Sequence, residues 1–295
     1  MTRLAVVTVI HDSEADLERL LDSLHLLPGP APQTVVVDSG SRDRGAALAR
    51  DRGAEVIDLG ANQGFGAGCN AGLRLVHEPV VALLNPDVEL LDGGLAALAA
   101  EAGTREALLA PRMLNTDASV QDSAHPPPGT PTAVACAALP RRALPRPLRL
   151  HVEPWRSDAP RTVGWAIGAC LVAQTGLLRR LGPFDPAAFL FYEDLELCLR
   201  AGHAGAPTLL RPAVALRHRG GGSVVPAFAG ADLELRARRR REVLAREGRR
   251  RLALDDAEQA LTFASRAMAG ALPRTDRTRE RAQLRALWRA MRAGA

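Results

Sequence analysis

Positions 4–10 form an unbroken apolar and β-branched run, and Val80-Val81-Ala82-Leu83-Leu84 repeats that pattern. Runs of this length without polar alternation suit strands buried on both faces of a sheet. Shorter runs at 34–37 and 55–58 predict two further strands between them. After Asp12 or Ser13, either of which can cap a helix, Leu17, Leu20, Leu21 and Leu24 recur at helical spacing. A short helix is expected over 43–52, stopped by Gly53, and a longer one over 65–76. A helix near 93–101 and a strand near 107–110 follow. Strands alternating with helices predict an α/β fold: a mostly parallel, Rossmann-like sheet with right-handed crossovers, flanked by helices.

The pattern breaks at 124–160, where Pro126-Pro127-Pro128, Pro131, Pro140, Pro145, Pro147, Pro154 and Pro160 crowd together. One short helix near 131–139 is expected inside this long excursion. Regular structure resumes at Val163, with a strand over 168–173, a helical turn over 175–181 and a loop at Pro183-Phe184-Asp185. A helix over 193–201 and one or two short strands over 207–216 come next. From Asp232 onward the chain reads as helical, with an Arg-rich amphipathic stretch to about 251 and helices near 255–269 and 276–292. The boundaries drawn on this basis are a catalytic domain over 1–225, containing the Pro-rich excursion, and a helical C-terminal extension over 226–295.

Composition adds little to this and excludes a few classes. Aromatic residues are 3% of the chain, so Leu, Val and Ala must build the core. No lysine occurs, and the arginines concentrate between Arg236 and Arg251. That segment could face a phosphate-rich partner or be a solvated helix face. Cys69, Cys136, Cys170 and Cys198 are widely spaced with no C-x-x-C pair, so they read as buried thiols in a reducing cytoplasm, not as a zinc site. No signal peptide is recognisable at Met1-Thr2-Arg3, and no apolar stretch reaches the roughly 18 residues of a membrane span. A cytoplasmic protein is expected, with or without peripheral contact to the inner face of the membrane.

The candidate chemistry lies where strands end. Asn85-Pro86-Asp87 follows a buried strand, so Asn85 and Asp87 would stand at a sheet's carboxyl edge, where open α/β sheets bind ligands. Asp87 there can hold a hard divalent cation if phosphates complete the shell, or the tripeptide is simply an Asn-Pro turn. Asp38-Ser39-Gly40-Ser41 ends the second strand; Asp38 could accept a pyrimidine N–H or cap a turn. The segment Asn62-Gln63-Gly64-Phe65-Gly66-Ala67-Gly68-Cys69-Asn70-Ala71-Gly72 opens a helix whose free N–H groups suit phosphate. A dinucleotide fingerprint would instead sit in the first βα turn, and His11-Asp12-Ser13 has no glycine. Glu193-Asp194 follows an aromatic wall, Phe189-Leu190-Phe191-Tyr192, and suits either a general base or N-terminal capping. His218-Arg219-Gly220-Gly221-Gly222-Ser223 follows the last strand and could complete a metal or diphosphate site.

Together these pieces resemble glycosyltransferase family 2, the inverting enzymes of GT-A fold that bind nucleotide-diphospho-sugars. The resemblance spans roughly 4–250 and rests on Val6-Val7-Thr8-Val9, Val36-Val37-Asp38-Ser39-Gly40-Ser41, Asn62-Gln63-Gly64-Phe65-Gly66, Leu84-Asn85-Pro86-Asp87, Gly182-Pro183-Phe184-Asp185, Phe191-Tyr192-Glu193-Asp194 and Leu197-Cys198-Leu199-Arg200. Ala110-Pro111-Arg112, Ser119-Val120-Gln121 and Val163-Gly164-Trp165 to Gly168-Ala169-Cys170 make it most similar to bacterial rhamnosyltransferases of cell-wall and polysaccharide assembly.

The resemblance implies a division of labour. Thr8, Asp38 and Asn62 would line the nucleotide pocket, and Gly64, Gly68 and Asn70 would approach ribose and diphosphate. Asp87, helped by Asn85, and His218 would hold Mn2+ or Mg2+. Asp194 would be the catalytic base with Glu193 beside it at the substrate, and Trp165 and Gly168 would face the acceptor. The implied activity is transfer of a sugar, rhamnose from dTDP-rhamnose, to a hydroxyl of a lipid-linked or growing polysaccharide. Transfer of a hexose or galactofuranose from a UDP-sugar and a catalytically silent nucleotide-sugar-binding subunit are the alternatives. Nucleic-acid binding through the Arg-rich helix would leave the pocket residues unexplained. Three positions depart from the family pattern. His11 ends the first strand where an aromatic residue and Asn are usual, Asn85 replaces an Asp, and Gln174-Thr175 replaces a basic pair.

Overall fold

A computed structural model describes residues 2–139, 143–182, 184–185, 190–220, 232–269 and 278–293. The first apolar run is β1 (Leu4–Ile10), with every residue buried. It is flanked in parallel by β2 (Gln33–Asp38) and β4 (Val80–Leu84), and β3 (Glu55–Asp58) extends β2. A strand bonded on both sides and covered on both faces has no polar face to show, hence the continuous Val, Ala and Ile. The connecting helices are α1 (Glu14–Ser23), α2 (Gly45–Asp51) and α3 (Phe65–Leu75). Gly53, at φ 78°, ends α2 in the left-handed conformation where the sequence puts its stop.

The sheet order β3-β2-β1-β4 reverses direction between β1 and β4. The carboxyl ends of these two strands therefore flank a topological switch point, the crevice in which such sheets take ligands. Beyond β4 the sheet is mixed. β10 (Cys170–Gln174) lies antiparallel between β4 and β6 (Leu108–Leu114), and β11 (Thr208–His218) runs parallel to β6. β5 (Val88–Leu90) and β8 (Arg161–Val163) pair antiparallel with β11. The expected parallel sheet thus holds for the first four strands and gives way to a mixed one. α4 (Gly94–Thr104), α7 (Thr175–Leu181) and α8 (Glu193–His203) complete this part, together with the short β7 (Ala124–His125) and β9 (Trp165–Ala166).

The glycines of α3 are a packing device. A Cβ on Gly68 would lie 2.6 Å from Val9 Cγ1, and one on Gly72 would lie 2.5 Å from Val7 Cγ1. Absent side chains on one helix face let α3 lie directly on β1. Gly72→Val is expected to lower unfolding stability by about 1–3 kcal/mol, the usual cost of overpacking a filled core. Urea denaturation checks this; an unchanged midpoint at constant m-value would show that the helix can lift off without loss.

Contacts divide the chain into two units, Met1–Ala124 with Trp155–Ala227, and His125–Pro154 with Phe228–Ala295. The second is helical: α5 (Pro131–Ala137), α6 (Arg146–Val152), α9 (Asp232–Arg246), α10 (Arg249–Ala269) and α11 (Thr278–Arg292). Among its described residues the Pro-rich excursion contains two α-helices where the sequence suggests one. α10 is also continuous across 251–255, because the break falls at Gly248, φ 107°. Residues 276–277 of the last expected helix lie outside the described residues. Much of the arginine charge is spent within this unit. Arg240 reaches Asp255 through two nitrogens at 2.8 and 2.7 Å, with Asp255 1% exposed. Arg241 pairs with Asp256, Arg239 with Glu242, and Arg251 with Glu247. Among the described residues no helix is long and apolar enough to cross a membrane.

Candidate active site

At the end of β1 the chain is stitched to the ends of its neighbours. Ser39 N–H donates to Ile10 O at 2.9 Å, and His11 Nδ1 lies 2.9 Å from Ser39 O. Asp12, at φ 48°, accepts Arg42 N–H at 2.6 Å, and its own N–H donates to Ser41 Oγ at 3.1 Å. The Arg42 amide is the main cause holding the Asp12 carboxyl below its ordinary value. Asp43 takes Glu14 N–H at 2.7 Å while Glu14 takes Arg44 N–H at 3.1 Å. Two loops that bond each other this way form a rim set before any ligand arrives.

Asp38 is 6% exposed and accepts Ser41 N–H at 2.8 Å, which is a turn-capping contact. Thr8 is wholly buried, level with Val36 and Leu84, so it lies beneath the edge and not on it. Its hydroxyl has no hydrogen-bond partner among the described residues. Asn62 Oδ1 accepts Gly64 N–H at 3.0 Å at the start of α3, and Ser39 Oγ accepts Gln63 N–H at 3.0 Å. Gly40 makes this loop contact possible: at φ 74°, a Cβ there would sit 2.9 Å from the Ala61 backbone. Gly64, at φ 85° and ψ 168°, occupies a conformation essentially reserved for glycine.

Two other expected ligand residues are turned to structural work. Gly68 faces Val9 inside the fold. Asn70 clamps the Phe184 backbone, donating from Nδ2 to its carbonyl and accepting its N–H, each at 2.7 Å. Gln174-Thr175 lies at the far end of the sheet, where Thr175 bonds Glu78 and Pro79 carbonyls. That departure from the family pattern is remote from the crevice.

Two carboxylate centres remain at the edge. In the first, the register of β11 on β5 sets His218 opposite Val88, one residue from Asp87. Asp87 Oδ1 lies 3.2 Å from His218 Nε2, and Asp87 Oδ2 accepts Gly220 N–H at 3.0 Å. Burial, the largest single cause, pushes the Asp87 carboxyl up, but His218 and the backbone amides of Asp87 and Gly220 together outweigh it and the net direction is down. Asn85 Nδ2 is 3.5 Å from His218 Nε2. His218 Nδ1 is 2.8 Å from Gln121 Oε1. Residues 221–223 of the expected glycine loop lie outside the described residues.

In the second centre, α8 opens after Phe191 and Tyr192, both left-handed at φ 72° and 61°. Two consecutive non-glycine residues held there store about 1–3 kcal/mol each, strain that clusters at functional sites. Asp194 Oδ2 accepts Gly168 N–H at 2.9 Å and Oδ1 accepts Leu195 N–H at 2.7 Å. Gly168 is pressed against Phe65, whose ring a Cβ would meet at 3.3 Å. Trp165 is buried and packs on Tyr192 with ring centroids 6.1 Å apart. Glu193 lies close enough to add its charge to the burial that pushes the Cys69 thiol up. Phe189 of the expected aromatic wall lies outside the described residues. The four cysteines are buried and free.

Backbone joins the two centres: Asn85 N–H donates to Ala169 O at 3.0 Å, next to the Gly168 amide held by Asp194. A carboxylate and an imidazole nitrogen are donors of the kind Mn2+ and Mg2+ accept, and Asn85 turns its Nδ2 toward them. Among the described residues no cluster of three or more His, Cys, Asp or Glu could cage a metal. The donor set therefore fits a cation that arrives with phosphate oxygens to fill its shell. Sequence reasoning did not find Gln121 or Asn115 as site residues, and the one signal for Gln121 was its place in the segment Ser119-Val120-Gln121.

Residues 5–145 match the description of Glycosyl transferase family 2. The chain is 31% identical to an N-acetylglucosaminyl-diphospho-decaprenol L-rhamnosyltransferase of Mycobacterium tuberculosis over 235 residues, 73% of this chain and 75% of that protein. It is 26% identical to a low-salt glycan biosynthesis hexosyltransferase of Haloferax volcanii, over 67% of this chain and 61% of that one. Among solved structures it is similar to a mannosyltransferase of Pyrobaculum calidifontis in complex with GDP-Man and Mn2+. That match has TM-score 0.64 at 15% identity and covers 99% of this chain and 88% of the other. Staphylococcus aureus TarS 1-349 superposes with TM-score 0.57 at 15% identity, covering 99% and 81%.

Proposed function

The chain belongs to glycosyltransferase family 2 and is a glycosyltransferase of GT-A fold, and from that premise we propose that it transfers rhamnose from dTDP-rhamnose, with inversion, to a hydroxyl of a lipid-diphosphate-linked sugar. The observation that carries this reading is the backbone link between the Asp87–His218 pair and Asp194 through Asn85, Ala169 and Gly168. It supports a reading in which a group that would hold the diphosphate and a group that would accept the proton serve one crevice. The sugar and the acceptor are taken from the mycobacterial relative, whose name states a rhamnosyl transfer onto a lipid-diphosphate-linked N-acetylglucosamine.

Asp87 and His218 would hold a divalent cation at the donor's diphosphate, with Asn85 beside them. When bound, that cation supplies charge neutralisation on the departing diphosphate. The chain's own residues do the rest. The rim of Asp12, Ser41 and Asn62 borders the nucleotide pocket, with Asp38 capping its turn beneath. Glycine at positions 40 and 64 lets the backbone approach closely. Gly168 and Leu195 amides fix the Asp194 carboxylate, one on each oxygen. The acceptor oxygen bonds to the anomeric carbon as the bond from that carbon to the diphosphate oxygen breaks. Its proton passes to Asp194, and dTDP leaves with the bonding pair. One displacement inverts the anomeric configuration and needs no covalent enzyme intermediate. A lipid-linked acceptor assigns this work to a membrane surface, reached by peripheral contact.

Calorimetric titration with dTDP-rhamnose, UDP-glucose, UDP-galactose and UDP-galactofuranose, each with and without Mn2+, tests the donor. With the metal, dTDP-rhamnose is expected to bind at least about tenfold more tightly than the others, a difference of about 1.4 kcal/mol, and more tightly than it does without the metal. Preference for a UDP-sugar would discard rhamnose and keep the fold and mechanism. Nucleotide-sugar binding with no turnover on any lipid-linked acceptor would favour a silent subunit.

A further inference from the structure

His218 can ligate a cation through Nε2 only if its other nitrogen carries the proton, and the molecule contains a directed set of hydrogen bonds that requires this. Residues 114–121 form a small hairpin after β6, closed by Asn115 N–H to Ser119 O and Gln121 N–H to Met113 O, each at 2.8 Å. At its exposed tip, Ser119 Oγ lies 2.6 Å from Asp117 Oδ1. The Ser119 hydroxyl is the first cause holding the Asp117 carboxyl below its ordinary value, so Asp117 is ionised near neutral pH and can only accept. The Ser119 hydroxyl must then donate to it, leaving Oγ to accept Asn115 Nδ2 at 2.9 Å. Asn115 Oδ1 accepts Gln121 Nε2 at 3.0 Å. Gln121 is thereby oriented with Oε1 toward His218 Nδ1, 2.8 Å away.

Each step fixes the next, so the amide orientations and the ring tautomer follow from the one group whose polarity is not negotiable. An amide oxygen accepts and cannot donate, which assigns the proton to Nδ1. The Nε2 side of the ring is turned to Asp87 Oδ1 and Asn85, where a cation would take the place of an Nε2 proton shared with Asp87. A ring nitrogen facing a carboxylate at that range, with its tautomer set from behind, is the arrangement by which outer groups tune imidazole ligands.

We infer that Gln121 is a positioning residue, which holds His218 in the Nδ1–H tautomer with Nε2 toward the cation, and that the Asn115–Ser119–Asp117 turn sets the direction of its amide. The inference rests on the reading of Asp87 and His218 as the residues that hold the donor's metal ion. Gln121 does not touch the donor and acts only through His218.

The test measures Mn2+ affinity at saturating dTDP, from the electron paramagnetic resonance signal of free Mn2+, together with the His218 ring 15N shifts in the Mg2+–dTDP complex. The His218→Ala spectrum identifies the His218 signals. Gln121→Met keeps the side-chain length and removes the acceptor. It is expected to weaken Mn2+ binding about 10- to 100-fold, in line with other outer-group losses, while metal-free dTDP affinity and thermal midpoint stay at wild-type values. Gln121→Glu retains an acceptor for Nδ1–H and is expected to bind Mn2+ at least as well as wild type. A merely structural role predicts the reverse, with both variants losing thermal stability and no selective effect on the metal. Asp117→Ala, at an exposed turn that cannot unfold the sheet, is expected to give ring shifts averaged between the two tautomers. Unchanged shifts would overturn the part assigned to the turn. If Gln121→Met binds Mn2+ like wild type while His218→Ala does not, the positioning proposal fails and the metal site stands. If His218→Ala also binds normally, the metal reading fails and the proposal falls with it.

Discussion

Asp194→Ala is expected to lower the rate of sugar transfer about 10³-fold, within the 10²- to 10⁴-fold that a positioned general base contributes, while donor affinity stays within about twofold of wild type. The loss corresponds to about 4 kcal/mol of transition-state stabilisation. Asp194 lies at the first turn of α8, with Gly168 N–H on one carboxylate oxygen and Leu195 N–H on the other. Those two amides prevent the side chain from rotating out of line. Asp194→Asn separates the chemistry from the scaffold. It can still accept a backbone N–H, but it cannot take a proton, so its transfer rate should fall as far as that of the alanine variant. Asparagine keeps one of the two backbone N–H bonds, whereas alanine loses both, at about 1–3 kcal/mol of stability for each amide left without an acceptor. Steady-state kinetics with saturating donor, beside calorimetric donor binding, checks both. An Asp194→Asn rate within about threefold of wild type would remove Asp194 from the role of base.

Asp87→Ala should act at the other end of the bond being broken. In Mn2+, donor affinity is expected to fall to the metal-free value, with transfer lowered about 10²- to 10³-fold, since charge neutralisation on a leaving diphosphate is worth several kcal/mol. Asp87 is the anionic member of its donor set, and His218 and Gly220 N–H already hold the carboxylate ionised and oriented. Titration of donor with and without Mn2+ reads the effect. Wild type and variant should agree without metal and part with it. Equal donor affinity with and without Mn2+ in both proteins would end the assignment of a metal to this site.

Part of this site is legible in the chain because strand ends are legible. β1 and β4 are continuous buried runs and β2 is buried from Val35 onward, and Asp38, Asn85 and Asp87 stand where those runs stop. The parallel order of the first strands follows from the intervening helices. Asp194 at the opening of α8 follows from helix spacing and the preceding aromatic residues. The glycine segment was read by composition, and its two jobs look alike there. Gly64 sits at the crevice, whereas Gly68 and Gly72 let α3 rest on Val9 and Val7. Asn70 reads as a polar ligand residue, yet both ends of its amide are taken by Phe184. Nothing in local spacing separates a glycine that admits a phosphate from one that admits a valine.

By itself, then, the sequence determined which segments are strands and helices, which polar residues end them, and that the first four strands form a parallel sheet with a crevice at its carboxyl edge. Those are properties of periodicity and capping, written within a dozen or so residues. Tertiary structure decided that β10 enters antiparallel beside β4, that β11 carries His218 to Asp87, and that Gln121 stands behind His218. The last pair is 97 residues apart and the Asn85–His218 pair 133. Contacts over such separations arise from strand register and sheet order, which leave no repeating signature in the chain. The direction of a hydrogen bond between two of them exists only once both ends are in place.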